Sequence, residues 1–212
     1  MNVLFVGNSY TESNDLPGTV QAFAAARGRE LAQECLARGG ALLRDHLAGG
    51  WGKAASAIAS GRFSHVVLQE QSQLPLAAPP LFIEPARALA GLAAGHGATA
   101  VLFVTWAKRD SPQEQEAISR AYQAAARQSG AILAPVGPAW AAARKALPNV
   151  ALHAPDGSHP TPAGSYLAAL VLYGTLAGDT PVGLPDRHCA PGATARLQEL
   201  AAAALRDAAT GR

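Results

Sequence analysis

Late in the chain, Ala154-Pro155-Asp156-Gly157-Ser158-His159-Pro160-Thr161-Pro162 sets a carboxylate and an imidazole three residues apart in a loop punctuated by glycine and proline. An imidazole whose second ring nitrogen is held by a carboxylate is a base of fixed tautomer. A weak hydroxyl or thiol nucleophile needs such a partner at neutral pH. The chemistry implied is acyl transfer, and it requires a serine, cysteine or threonine elsewhere. Ser9 qualifies, since Gly7-Asn8-Ser9 directly follows the apolar run Asn2-Val3-Leu4-Phe5-Val6. A tetrahedral intermediate also needs fixed donors for its oxyanion. The Ser9 backbone N–H, a glycine N–H from Gly39-Gly40 and the side-chain amide of Gln71 or Gln73 are the candidates. Taken singly these signals are weak: Gly-Asn-Ser and Asp156-Gly157 are turn formers, and Ser158 or Thr161 could simply cap a helix that begins at Pro162.

Their joint weight comes from the elements that must position them. The run Asn2 to Val6 reads as a strand buried on both faces, and Asp15 with Pro17 announces a helix to about Gly28. Glu30 to Leu36 is a second strand closed by Gly39-Gly40, and short helical pieces at Ala41 to His46 and Gly52 to Ser60 flank Gly49-Gly50. His65 to Gln69 is a third strand, followed by the polar string Glu70-Gln71-Ser72-Gln73. Prolines at 75, 79, 80 and 85 predict a loop, with a helix after it to about Gly95. Ala100 to Thr105 is the fourth strand, and Ser111-Pro112-Gln113-Glu114 predicts a capped helix start, running to Gly130. Ala131 to Val136 is the fifth strand, a short helix surrounds Trp140, and helices follow at Pro162 to Ala177 and Thr194 to Arg206.

Strands alternating with helices predict one α/β domain over residues 1–212, a parallel five-stranded sheet between two helical layers with right-handed crossovers. Ligands of such sheets bind beyond the carboxyl ends of the strands. Ser9, Gly39-Gly40, Gln71 to Gln73 and the Asp156 to His159 loop all fall at that edge, and Trp106, after strand four, is a candidate pocket wall there.

Composition narrows the rest. With 17 basic and 15 acidic residues and no basic cluster interleaved with aromatics, nucleic acid is not an expected partner. Gly7-Asn8-Ser9 is neither a dinucleotide fingerprint nor a P-loop. Histidines 46, 65, 96, 153, 159 and 188 show no H-x-H or H-E-x-x-H spacing, so no metal or other cofactor is expected. His153 could rival His159 as base but has no acid at matching spacing. Cys35 and Cys189 form no C-x-x-C pattern and are read as reduced, one of them in the core. The apolar stretch Tyr166 to Leu176 falls short of the ~20 residues of a membrane span, and Met1 to Gly7 lacks the basic start of a signal peptide, so a cytoplasmic protein is expected.

Gly7-Asn8-Ser9 after strand one, with Asp156-x-x-His159-Pro160 near the end, resembles the SGNH (GDSL-like) hydrolases, and the likeness covers most of the chain in block order. The resemblance implies a flavodoxin-like three-layer sandwich and a serine esterase or lipase. It implies Ser9 as nucleophile and first oxyanion donor, Gly40 as second donor, and Asp156 and His159 as the acid and base of a triad. Asn8 stands where the lettering Gly-Asp-Ser has an aspartate. The family's third-block asparagine, a further oxyanion donor, has no counterpart: Gln73 or Gln71 takes its place. The string Gln69-Glu70-Gln71-Ser72 looks closer to the carbohydrate-esterase branch, which implies small carboxylic esters, down to O-acetyl groups on sugars, as substrates. Alternatives are a thioesterase or lysophospholipase, with Leu74 to Ile83 as an apolar lip, or a non-catalytic carbohydrate-binding module on the same fold.

Overall fold

The protein is described here by a computed structural model covering residues 1–49, 53–187 and 192–210. The expectations attached to Gly50, Gly52, His188 and Cys189 lie outside the described residues. In chain order the elements are β1 (Asn2–Gly7), α1 (Ser9–Glu12), α2 (Leu16–Ala26), β2 (Ala32–Ala37), α3 (Leu43–Leu47) and α4 (Ala54–Ala59). They continue with β3 (His65–Leu68), α5 (Leu74–Ala77), α6 (Pro79–Gly95), β4 (Thr99–Phe103) and α7 (Gln115–Ser129). The last are β5 (Ile132–Ala134), α8 (Val136–Ala146), α9 (Pro162–Ala177) and α10 (Thr194–Ala209).

Alternate residues of β1 feed two separate cores, because successive side chains of a strand point to opposite faces. Val3 and Phe5 join Val67, Val101 and Phe103 beneath α2, α8, α9 and α10. Leu4 and Val6 join Val66, Leu68 and Leu102 beneath α3, α4, α6 and α7. The result is the expected three-layer sandwich, and all its strand pairings are parallel in the order β2-β1-β3-β4-β5. That order is the flavodoxin-like one, and it reverses direction at β1 and β3. Adjacent crossovers leave the sheet on opposite faces there, opening a crevice at the strand ends. Ser9 follows β1 and the Gln71 to Gln73 string follows β3, so both border it.

Helix α9 carries no charged residue and is buried nearly all round, packed among α2, α8 and α10. Gly164 is required in its first turn, since a Cβ there would strike Leu152 O and the Trp140 ring. Among the described residues no helix is long and apolar enough to cross a membrane.

Two expectations are corrected. The prolines do not hold a loop: Pro75 lies in α5, and Pro79, Pro80 and Pro85 lie in α6. Pro79 and Pro80 occupy the first turn, whose N–H groups have no intrahelical acceptor in any case, so proline loses nothing there. Pro85 alone removes an interior bond. Ser111 does not cap α7 with its side chain: a single 3-10 turn, Pro112–Glu114, intervenes, and its Glu114 N–H bonds the Ser111 carbonyl. Cys35 lies on the edge strand β2, exposed and with a free thiol, and Cys189 lies outside the described residues.

Candidate active site

The first strand delivers Ser9 through a tightly held bend. Asn8 is extended (φ −135°, ψ −154°) and caps α1, its Oδ1 accepting the Tyr10 N–H at 3.1 Å. Its Nδ2 donates to Ala41 O at 3.1 Å, which ties the bend to the loop after β2. The Asn8 N–H and the Thr11 hydroxyl both donate to Gln69 Oε1, at 2.9 and 2.8 Å. Gly7 makes room for this: a Cβ there would lie 2.5 Å from both Gln69 Oε1 and Thr11 Oγ1. Gln69, wholly buried at the end of β3, therefore anchors the bend that carries Ser9. Its only signal in the sequence is an amide closing an otherwise apolar strand.

His159 is held by a loop folded back on itself. Ala154 N–H donates to His159 O (2.8 Å) and Thr161 N–H to Leu152 O (2.9 Å), with an antiparallel bridge between His153 and Pro160. Inside it, Asp156 Oδ1 accepts the N–H groups of Ser158 and His159 at 2.9 and 3.0 Å. Asp156 Oδ2 accepts from His159 Nδ1 at 2.5 Å, and His159 Nε2 lies 2.9 Å from Ser9 Oγ. A carboxylate can only accept, so Nδ1 carries the ring proton and Nε2 offers its lone pair to the serine hydroxyl. The His159 bond, backed by the two N–H donors, pulls the Asp156 carboxyl down to about 2. The His159 and Asp156 side chains are 45% and 49% exposed, so the imidazole is open to solvent.

Gly157 sits at φ +71° with Arg109 Nη2 3.3 Å from where a Cβ would be. Arg109 braces the loop from outside, its N–H donating to Gly157 O at 2.8 Å and Nη2 to Pro155 O at 3.3 Å.

Other histidines have different partners. His153 Nε2 bonds Ala107 O at 3.0 Å and its ring meets Trp140 edge-on, so it braces the loop and burial lowers its affinity for a proton. His46 is wholly buried with Nε2 on Gly7 O at 2.8 Å, beneath the bend. His65 bonds its neighbour Ser64, and His96 bonds Leu92 O at the end of α6. Among the described residues no group of His, Cys, Asp and Glu side chains could hold a metal ion. Trp106 is 1% exposed, its faces covered by Tyr10 and Trp140. With Gln115, Arg144 and Lys145 it lines a cavity of about 560 Å³.

The oxyanion candidates differ in placement. Gly40 is exposed and left-handed (φ +75°) in the turn from Arg38 to Ala41, one residue from the carbonyl that Asn8 holds. Gln71 turns its Oε1 to the N–H groups of Gln73 (2.8 Å) and Leu74 (3.0 Å), capping α5. Gln73 Nε2 is buried without a hydrogen-bond partner. Beneath them Glu70, wholly buried, accepts the Gln71 N–H at 2.6 Å and the Leu43 N–H at 3.3 Å, joining the loops after β2 and β3. Burial pushes its carboxyl up to about 7, against the pull of those two N–H groups.

No protein-family model matches the chain, and no curated protein matches it. Among solved structures, one assigned as an SGNH hydrolase from Slackia heliotrinireducens is 33% identical, covering 83% of this chain and 98% of its own, with a TM-score of 0.71. A DUF4886 family protein from Bacteroides uniformis is 18% identical over 99% of this chain and 95% of its own, with a TM-score of 0.76. An acetyl xylan esterase is 16% identical over 83% of this chain and 100% of its own, with a TM-score of 0.67. The latter two likenesses concern the fold. Identity of 33% across nearly the whole of the Slackia protein goes further, and by it this chain belongs to the SGNH hydrolases, a family acting on ester bonds.

Proposed function

We propose that the protein is a serine esterase working through an acyl-enzyme. The reading rests on one observation, the continuous relay Asp156 Oδ2 to His159 Nδ1 and His159 Nε2 to Ser9 Oγ, at 2.5 and 2.9 Å. Ser9 Oγ attacks the ester carbonyl carbon as its proton passes to His159 Nε2. The tetrahedral intermediate collapses with breakage of the C–O bond, and the imidazolium returns that proton to the leaving alcohol. Water then gives a proton to His159 and attacks the acyl carbon. Collapse releases the carboxylic acid, and the proton returns to Ser9. Asp156 keeps the tautomer and balances the imidazolium charge. The N–H groups of Ser9 and Gly40 and the amide of Gln73 or Gln71 receive the oxyanion.

The substrate class we infer is a small carboxylic ester, with O-acetyl groups on carbohydrates foremost. Two points support it: the Gln69-Glu70-Gln71-Ser72 string and the presence of an acetyl xylan esterase among proteins of this fold. A second reading, longer acyl thioesters or lysophospholipids, draws on Leu81 at the start of α6, which is 49% exposed in the segment between Leu74 and Ile83.

Fluorophosphonate labelling tests the chemistry: wild type should be labelled and Ser9→Ala should not. An unlabelled wild type would overturn the esterase reading in favour of a carbohydrate-binding module on a hydrolase fold. Hydrolysis of acetylated sugars beside p-nitrophenyl esters of increasing chain length tests the substrate. Rates rising with chain length would favour the second reading.

A further inference from the structure

Three segments from distant parts of the chain meet beside His159. Tyr10 follows Ser9 on α1, Trp106 follows β4, and Ser158 precedes His159. Tyr10 Oη and Ser158 Oγ are 2.6 Å apart. The Tyr10 ring lies flat on Trp106, centroids 4.4 Å apart and planes 3° from parallel. Trp106 Nε1 donates to Ser158 O at 3.0 Å, closing a three-cornered arrangement. Trp106 is backed on its other face by Trp140, centroids 3.9 Å apart, so the corner it forms cannot give way. The Tyr10 ring also meets the His159 imidazole edge-on, centroids 5.7 Å apart.

We propose that Tyr10, Trp106 and Ser158 form a positioning clamp that sets the His159 imidazole against Ser9. The inference rests on the esterase reading for its kinetic arm. The physical need is visible in the exposure of the relay. Asp156 and His159 are about half exposed, so burial does not fix them; their loop is tied to the segment that carries Ser9 by this contact and by the Asn14 Nδ2 bond to Pro160 O at 3.2 Å. Serine and base are carried by α1 and by a loop about 150 residues later. A bond from the residue after the serine to the residue before the histidine joins these two carriers directly. The stacked tryptophan prevents the pair from sliding as a unit. Burial raises the Tyr10 phenol above its ordinary value, so it stays a neutral hydroxyl that can donate or accept.

Tyr10→Phe keeps the ring and removes Oη; Ser158→Ala removes the other half, on a partly exposed loop. Each should slow fluorophosphonate labelling of Ser9 roughly ten-fold or more, as small misplacements of reacting groups do. In p-nitrophenyl acetate hydrolysis the loss should fall in kcat with KM held. The double variant should be no slower than the slower single one, and Ser158→Thr should restore the rate. The downfield proton resonance of His159 Nδ1–H should broaden in both single variants. The clamp is overturned if the variants lose only thermal stability while labelling at the wild-type rate with that proton unchanged. An unlabelled wild type would instead sink the esterase reading. The His159 proton would still decide the clamp, for it by broadening in the variants and against it by staying sharp.

Discussion

Glu70, at the end of β3, accepts the backbone N–H of Leu43, the first residue of α3, although its carboxyl is wholly buried. Two loops of the crevice, after β2 and after β3, are thus joined through one ionisable group.

That group makes stability fall with rising pH. Burial holds the Glu70 carboxyl at about 7, above its ordinary value of 4.5, so between those values the folded chain keeps a proton that the unfolded chain releases. A state that binds more protons gains as pH falls, and here that state is the folded one. From pH 5 to pH 8 Glu70 should lower the unfolding free energy by on the order of 1–3 kcal/mol. Glu70→Gln, which keeps an acceptor oxygen for Gln71 N–H, should remove that slope. Urea unfolding at both pH values measures it, and equal losses in wild type and variant would count against the assignment.

Gln69 offers a sharper test of how Ser9 is held. Gln69→Leu fills the volume but leaves the Asn8 N–H and the Thr11 hydroxyl without their acceptor. Each orphaned buried donor costs about 1–3 kcal/mol. Because the bend carries Ser9, labelling should slow as well. A variant with unchanged denaturation midpoint and labelling rate would show that the bend holds without its amide.

The layered fold was legible because β1, β3 and β4 are apolar runs bounded by glycine or polar turns, as strands buried on both faces must be. The proline segment was not, because proline in a first helical turn and proline in a loop leave the same local signal. That Ser9, Asp156 and His159 come together could be read from residue type and block order. Gln69 and Glu70 could not be given roles, since nothing local says that these side chains turn inward to serve backbone groups from other strands. Tyr10 and Ser158 are likewise ordinary neighbours of a serine and a histidine until the fold brings them within 2.6 Å.

The loop that carries His159 depends on one backbone conformation. Gly157 is buried at φ +71°, where an L side chain is strained by roughly 1–2 kcal/mol. A methyl group would also crowd the Arg109 guanidinium that braces Pro155. Gly157→Ala should therefore lower the melting temperature and, by displacing Asp156 and His159, reduce kcat roughly ten- to a hundred-fold. Arg109→Ala removes the bond to Pro155 and leaves Gly157's conformation available, so it should reduce both by less. Melting curves and steady-state rates on p-nitrophenyl acetate distinguish the two, and a fully active Gly157→Ala would remove the loop conformation from the account.

The remaining test separates two glutamines that the sequence leaves equivalent. Gln71 spends its oxygen on the N–H groups of Gln73 and Leu74 at the start of α5, so Gln71→Ala should act as a lost helix cap, about 1 kcal/mol of stability. Gln73 keeps a buried Nε2 with no partner, an unfavourable arrangement that an oxyanion could relieve by accepting from it. Removing an oxyanion donor lowers kcat roughly a hundred- to a thousand-fold. Gln73→Leu should show that loss with KM little changed, because the donor matters only when charge develops on the carbonyl oxygen. It should also raise stability slightly, since an unpaired amide leaves the interior. If Gln71→Ala instead carries the kcat loss, the donor is Gln71, whose Nε2 would turn from Ser72 Oγ, 3.5 Å away, to the oxyanion while its oxygen still caps α5.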